Sequence, residues 1–248
     1  MKLSGWGRYP VRETRLMVPR GEAGLRAALA GGGAVARGNG RAYGDSALGA
    51  ARTLDMRHWN RMIAFDDATG QLVAEAGVLL ADIVAAFLPR GWFPAVTPGT
   101  KLVTLGGMIA ADVHGKNHHR DGSMAATVDW VEVMGADGGV TRAAPGEPLF
   151  DWTLGGMGLT GVILRAAIRL RRVETGWIRQ RVVAAPGLDA ALAALAEADA
   201  GCTYSVAWID CVTPGRHMGR SLVMLGEHAT RAEIGARPPV PPPHRAPG

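Results

Sequence analysis

Cysteine is nearly missing from this chain of 248 residues: there are two, Cys202 and Cys211, and neither has a C-x-x-C partner. That argues against a thiolate zinc site. The two could face each other across a hairpin, but they read more simply as free thiols in a reducing compartment. Long apolar runs are missing too. No stretch approaches the roughly 18 residues that a membrane-spanning helix needs. The start, Met1-Lys2-Leu3-Ser4-Gly5-Trp6-Gly7, has no signal-peptide core. The expectation is a cytoplasmic protein, peripheral to a membrane at most. A concentrated basic stripe is also lacking. The net charge is +5, but the arginines are scattered, among them Arg165, Arg169, Arg171, Arg172, Arg179 and Arg181. This speaks against a nucleic-acid partner and leaves an anionic ligand or a membrane-surface substrate compatible. There is no internal repeat, and the tail from Arg237 to Gly248 is too rich in proline for a helix or central strand.

What the chain does have is apolar residues, at 48% enough for a packed core, and glycine, which falls in three dense segments. The first, Arg37-Gly38-Asn39-Gly40-Arg41-Ala42-Tyr43-Gly44-Asp45, follows Ala34-Val35-Ala36, which reads as a short buried strand. Such a loop can turn backbone N–H groups towards a pyrophosphate, with Arg37 or Arg41 as a charge partner; it can equally be an ordinary glycine turn. It does not match the G-x-G-x-x-G spacing of a Rossmann unit. The second runs from Pro98-Gly99-Thr100 through Thr104, Gly106 and Gly107 to Asp112-Val113-His114-Gly115-Lys116-Asn117-His118-His119. It combines two glycine turns with donors, a fixed charge and titratable imidazoles, which suits ligand contact better than a solvated face. No carboxylate or cysteine stands at ligand spacing, so no metal is expected. The third, Gly155 to Gly161, precedes an apolar strand and by itself decides nothing.

Periodicity and turn residues predict helices over 19–30, 79–88, 104–113 and 188–198, with a short one ending over 149–152. They predict hairpins over 62–75 and 128–142, and strands over 162–170, 177–183, 203–210 and 222–225. Mixed elements with several antiparallel hairpins indicate an α+β fold rather than a doubly wound parallel sheet. The texture changes near Thr175. The expected units are therefore 1–175, a partial second domain at 176–236, and a disordered Pro-rich tail at 237–248.

Ser4-Gly5-Trp6-Gly7-Arg8, the Ala36–Asp45 loop, Pro98-Gly99-Thr100, Val113–His119, Gly158-Leu159-Thr160-Gly161 and Ser205–Asp210 occur in an order that resembles the vanillyl-alcohol oxidase and p-cresol methylhydroxylase flavoprotein superfamily. Within it, the resemblance points to oxidases of polyprenyl-phosphate-linked pentoses. It implies a two-subdomain FAD-binding domain followed by the incomplete start of an α+β substrate domain, in a chain shortened at its C-terminal side. It implies FAD bound by Arg37, Gly38, Asn39, Gly40, Arg41, Ala42 and Tyr43, by Pro98, Gly99, Thr100, Thr104, Gly106 and Gly107, and by Asp112, His114, Gly115, Asn117, Gly158 and Gly161. His114 and Lys116 would be catalytic, and Trp6, Tyr43, His114, Lys116 and Trp208 would line the substrate pocket. Many relatives tether FAD through a histidine in the first loop. Arg41 stands there in this chain, so the expected FAD is non-covalent. The implied activity is oxidation of a secondary sugar hydroxyl, with a reductase partner completing an epimerisation. An alditol or aldonolactone oxidase and a catalytically incomplete flavin-binding fragment are the alternatives.

Overall fold

A computed structural model describes residues 1–199 and 201–242. The last part of the Pro-rich tail, 243–248, lies outside the described residues. The N-terminal portion contains β1 (Lys2–Ser4), β2 (Val11–Glu13), β3 (Arg15–Met17), α1 (Gly21–Leu29), β4 (Ala34–Arg37) and β5 (Arg52–Asp55). The middle contains β6 (Met62–Asp66), β7 (Gln71–Glu75), α2 (Leu80–Phe87), β8 (Trp92–Pro94), α3 (Leu105–Ala110), α4 (His118–Asp121), β9 (Val128–Met134), β10 (Val140–Ala143), α5 (Pro148–Thr153) and β11 (Val162–Arg172). The remainder contains β12 (Ile178–Ala185), α6 (Leu188–Asp199), β13 (Tyr204–Ile209), β14 (Ser221–His228) and α7 (Arg231–Ile234).

The fold is α+β, built among the described residues on four sheets. β11 is its centre. Its apolar run pairs antiparallel with β9, β7 and, at its far end, β8, while β10 and β6 complete the sheet outward. The register of β11 against β9 shifts between Ile163 and Arg165. One extra residue in a strand reverses which face each later side chain points to. Val162 and Leu164 accordingly pack with α1 and the parallel trio β3-β5-β4, whereas Ile163, Ala166, Ile168 and Leu170 pack in a second core with Ile83 of α2 and Leu105, Met108 and Ile109 of α3. Of that parallel trio only β4 was expected, as the strand Ala34-Val35-Ala36; β3 and β5 were not. Its strands are three or four residues long, too short for a period to show. α3 is also shorter than its expected span, because Asp112, just beyond its end, takes a positive φ of 39°. Polar pairs tie the layers: Arg165 bonds both Glu132 of β9 and, at 2.7 Å, Glu22 of α1.

The antiparallel sheet β12-β14-β13 has α6 on one face, enclosing Ala185, Ala191, Cys202, Val223 and Leu225. Both cysteines are free, Cys202 buried and Cys211 exposed. The start of the tail lies beside β12, with the Trp177 indole N–H donating to the Pro238 carbonyl at 2.8 Å and Gly176 N–H to that of Pro239, also at 2.8 Å.

This sheet meets the rest of the molecule along a polar seam. Arg120 of α4 lies 4.0 Å from Glu227 of β14. His119 donates from Nε2 to the Cys202 carbonyl at 3.3 Å. His228 donates from Nδ1 to the Thr175 carbonyl at 3.0 Å, which leaves Nε2 to accept the Tyr204 hydroxyl at 3.1 Å. Phe93 packs edge-on against the same imidazole, 5.2 Å between centroids. Burial pushes His228 below its usual pKa. The Thr175 carbonyl opposes that shift, Arg171 adds to it and Glu227 counters it. With the folded pKa lowered, the unfolded chain takes the proton more readily. The contribution to stability is whole above the ordinary histidine value of about 6.5 and is lost as pH falls towards the folded one. The urea unfolding midpoint should therefore drop between about pH 7.5 and 5.5, and His228→Gln should flatten part of that slope. An identical slope in the variant would disconnect His228 from the effect.

Candidate functional site

The first glycine loop leaves β4 and folds back under the N-terminal turn. Gly40 has a φ of +68°, a conformation that favours glycine, and a Cβ there would lie 2.5 Å from Nη2 of Arg37. A Cβ on Gly38 would run into the side chain of Thr104. Thr104 caps α3, its hydroxyl accepting the Gly107 N–H at 3.3 Å, and Asn39 donates to the Leu102 carbonyl at 2.8 Å. The first loop and the second glycine segment are thus in direct contact. Gly106 is equally constrained, since a Cβ would stand 2.7 Å from that of Ala76. Pro98, Gly99 and Thr100 form the turn before α3, with Thr100 accepting the Leu102 N–H at 3.2 Å.

The third segment arrives at the opposite end of α3. Gly155 and Met157 donate to the Ile109 and Ala110 carbonyls at 3.2 and 2.8 Å. Gly158 has a φ of +79°, and Gly161 packs so closely on the Met134 carbonyl that no Cβ fits.

Beyond α3 the chain turns sharply. The Asp112 carboxylate accepts Ser123 Oγ and Ala125 N–H, each at 2.8 Å, and His114 bridges Ser123 through its backbone. Asn117 is fully buried. Its Nδ2 donates to the Ala95 carbonyl at 2.7 Å and to Asp121 at 2.5 Å, while Oδ1 has no partner. The side chains of Asp112 and Asn117 hold this turn in shape. Gly115 packs against Thr97, where a Cβ would lie 2.8 Å from the carbonyl oxygen. The side chains of His114 and Lys116 project from the turn and are exposed, with the His114 ring 4.9 Å from that of His118. The Lys116 carbonyl accepts the N–H of Ser205 in β13 at 2.8 Å, which brings the second sheet to the site.

Three aromatic residues expected in the pocket are more than half exposed: Trp6 54%, Tyr43 79% and Trp208 65%. Trp6 lies on the first loop, with the Arg41 guanidinium 5.0 Å from its ring centroid. Neither Tyr43 nor Trp208 makes a side-chain hydrogen bond among the described residues.

Could this arrangement hold a dinucleotide? Around the first loop lies a cavity of about 660 Å³, lined by residues that include Arg8, Arg37, Gly40 and Arg41 and no carboxylate. Nε of Arg41 is buried without a partner, a donor awaiting an acceptor. Burial and the nearby Arg57 lower the Arg37 pKa, against a smaller pull from Asp55. A cationic, glycine-walled cavity of this size fits a pyrophosphate. Among the described residues no three His, Cys, Asp or Glu groups stand close enough to hold a metal, and no helix is long and apolar enough to cross a membrane.

Residues 25–144 match the family described as "FAD binding domain". This chain carries an FAD-binding domain. The match begins within α1 and takes in the first loop, α3 and the His114–His119 turn. Among curated proteins, the chain is 40% identical over 239 residues to a decaprenylphosphoryl-beta-D-ribose oxidase of Mycolicibacterium smegmatis, an alignment covering 92% of this chain and 52% of that protein. It is 42% identical over 179 residues to an uncharacterized protein from the mprA 5′ region of Streptomyces coelicolor, covering 68% of this chain and 48% of that one. An uncharacterized oxidoreductase from the fasciation locus of Rhodococcoides fascians is 34% identical over 137 residues, covering 54% and 31%. The chain spans about half the length of the first two relatives.

Trp6 was expected at the site from the sequence, whereas Arg8, Ala95 and Thr97 were not. Two glycines flanking one tryptophan were the available signal for the turn that carries Trp6 and Arg8. Nothing in the sequence marked Ala95 and Thr97, which act through backbone atoms. If the first loop holds the cofactor, Gly40→Val must strain the backbone and intrude on Arg37. Strain at such a position is about 1–3 kcal/mol, a shift of several degrees in apo-protein Tm at this chain length. Flavin retention should fall by at least about tenfold, well beyond that stability loss alone. Normal flavin content in the purified variant would detach Gly40 from the cofactor.

Proposed function

We propose that the protein acts as an FAD-dependent oxidoreductase on a secondary hydroxyl of a sugar, a pentose carried on a polyprenyl phosphate. The supporting observation is the 40% identity across 92% of the chain to a decaprenylphosphoryl-ribose oxidase. FAD supplies the electron acceptor when bound. In this reading the first loop and the Pro98–Thr104 turn grip the cofactor, while β12–β14 and α6 belong to a substrate domain. His114 and Lys116, two residues apart and both exposed, face the reacting carbon. The imidazole takes up the hydroxyl proton and the ammonium stabilises negative charge that develops beside it. A polyprenyl substrate would hold the protein at a membrane surface without a spanning helix. Its keto product would suit a reductase partner that returns the opposite configuration.

The test is anaerobic mixing of the FAD-loaded protein with candidate alcohols. Bleaching of the flavin bands by polyprenyl-phosphate pentose, and not by free alditols or aldonolactones, is the expected result. The reverse preference would transfer the assignment to an alditol or aldonolactone oxidase, and a flavin spectrum that no alcohol bleaches would leave binding without oxidation. Acid precipitation should leave a colourless pellet and yellow supernatant, because no histidine occurs between Arg37 and Asp45.

Lys116 offers a sharper check. Its anchor is a backbone carbonyl, so Lys116→Ala should fold normally. Removing a charge that acts on the transition state costs on the order of 2–4 kcal/mol, or about a hundredfold in the rate of flavin reduction. The flavin potential should fall as well. A variant with unchanged rate and potential would return Lys116 to the role of a solvated surface residue.

A further inference from the structure

We propose that Trp6 and Arg8 complete the cofactor site: the turn Ser4–Arg8 is a strap across the first glycine loop, and the stack of Trp6 on Arg41 sets how long FAD stays bound. The proposal rests on FAD binding and is independent of which alcohol is oxidised. The strap lies outside residues 25–144, the span of the family match. Yet it forms one wall of the cavity whose other wall is the loop from Arg37 to Arg41.

Three ties fasten strap to loop, and Arg12 of β2 adds a fourth contact to the loop. The Trp6 N–H donates to the Ala42 carbonyl at 2.8 Å, and Arg37 Nη2 donates to the Ser4 carbonyl at 2.8 Å. Arg12, just after the strap, pairs with Asp45 at 2.7 Å. The Arg41 guanidinium lies 5.0 Å from the Trp6 ring centroid, within cation–π range. The approach is close enough that Gly5 admits no side chain, since a Cβ would stand 2.5 Å from the Ala42 carbonyl oxygen and 2.8 Å from that of Gly44.

Two features, one of the loop and one of the strap, are directed at a ligand rather than at the fold. Arg41 places its guanidinium carbon over the Trp6 ring but leaves Nε buried and unpartnered. Arg8 has a φ of +59°, a conformation rare for a side-chain-bearing residue, and its guanidinium has no hydrogen-bond partner among the described residues. Both belong to a cavity lining without a carboxylate, and a phosphate-type anion supplies what they lack. Trp6 is then a positioning residue. It acts through Arg41, on the cofactor side of the molecule rather than as a wall of the substrate pocket.

The experiment uses the full chain loaded with FAD and follows release, on dilution, by the rise of free-flavin fluorescence. Apo-protein Tm is measured in parallel. Trp6→Ala should speed release about tenfold while leaving apo-protein Tm within about 2 °C, since the ring is largely exposed. Trp6→Phe keeps a π-face and should release within about threefold of the wild-type rate. Arg8→Ala, on an exposed side chain, should weaken FAD binding and reduce its salt dependence, which tests the strap independently if Trp6→Ala does not fold. Wild-type release rates in both Trp6→Ala and Arg8→Ala would overturn the proposal. So would slower substrate-driven bleaching in Trp6→Ala with unchanged FAD release, which would put Trp6 on the substrate. Failure of the wild-type chain to take up FAD would overturn the cofactor assignment itself, and the strap with it.

Discussion

The register shift in β11 is the constraint from which the rest of the structure follows. A regular strand shows one set of side chains to each face throughout its length. By inserting a residue between Ile163 and Arg165, β11 sends Leu164 into the core beneath the parallel trio and Ile163, Ala166 and Ile168 into the core beneath α2 and α3. One strand therefore nails two layers together, and the glycine segments come to rest on what it supports. The first loop springs from β4 of the parallel trio, while Thr104 and α3 belong to the other core. Their contact at Gly38 exists because both cores share β11.

Much of this was legible in the sequence, and the reasons are local. Asp66–Gly70 and Ala136-Asp137-Gly138 carry turn chemistry between apolar runs, so both hairpins stand where expected. The helix before Gly31 and the one before Pro89 show their periods openly. Strands β1, β2, β3 and β8 have three residues each and mostly lie at sheet edges or on the surface, and no periodicity survives at that length.

The site was legible as composition and obscure as geometry. Glycine density marked all three segments, and at Gly38, Gly40 and Gly106 the structure supplies a steric reason. Polar residues were harder. Asp112 and Asn117 sit among the motif residues, yet their side chains satisfy neighbouring backbone groups, as short polar side chains tend to do in turns. Spacing cannot distinguish a side chain that faces a ligand from one that braces the loop carrying it. His119 likewise bonds the Cys202 carbonyl and lies 3.4 Å from the Ser205 hydroxyl of β13, whereas the side chain of His114 makes no hydrogen bond among the described residues.

The bond between the Lys116 carbonyl and Ser205 separates chemistry from scaffold at that position. Because the main chain provides the anchor, any residue able to take the same φ and ψ can occupy position 116 without loosening the second sheet. The side chain presented there can be exchanged while its location is preserved. A different side chain at 116 therefore leaves intact the joint that positions it.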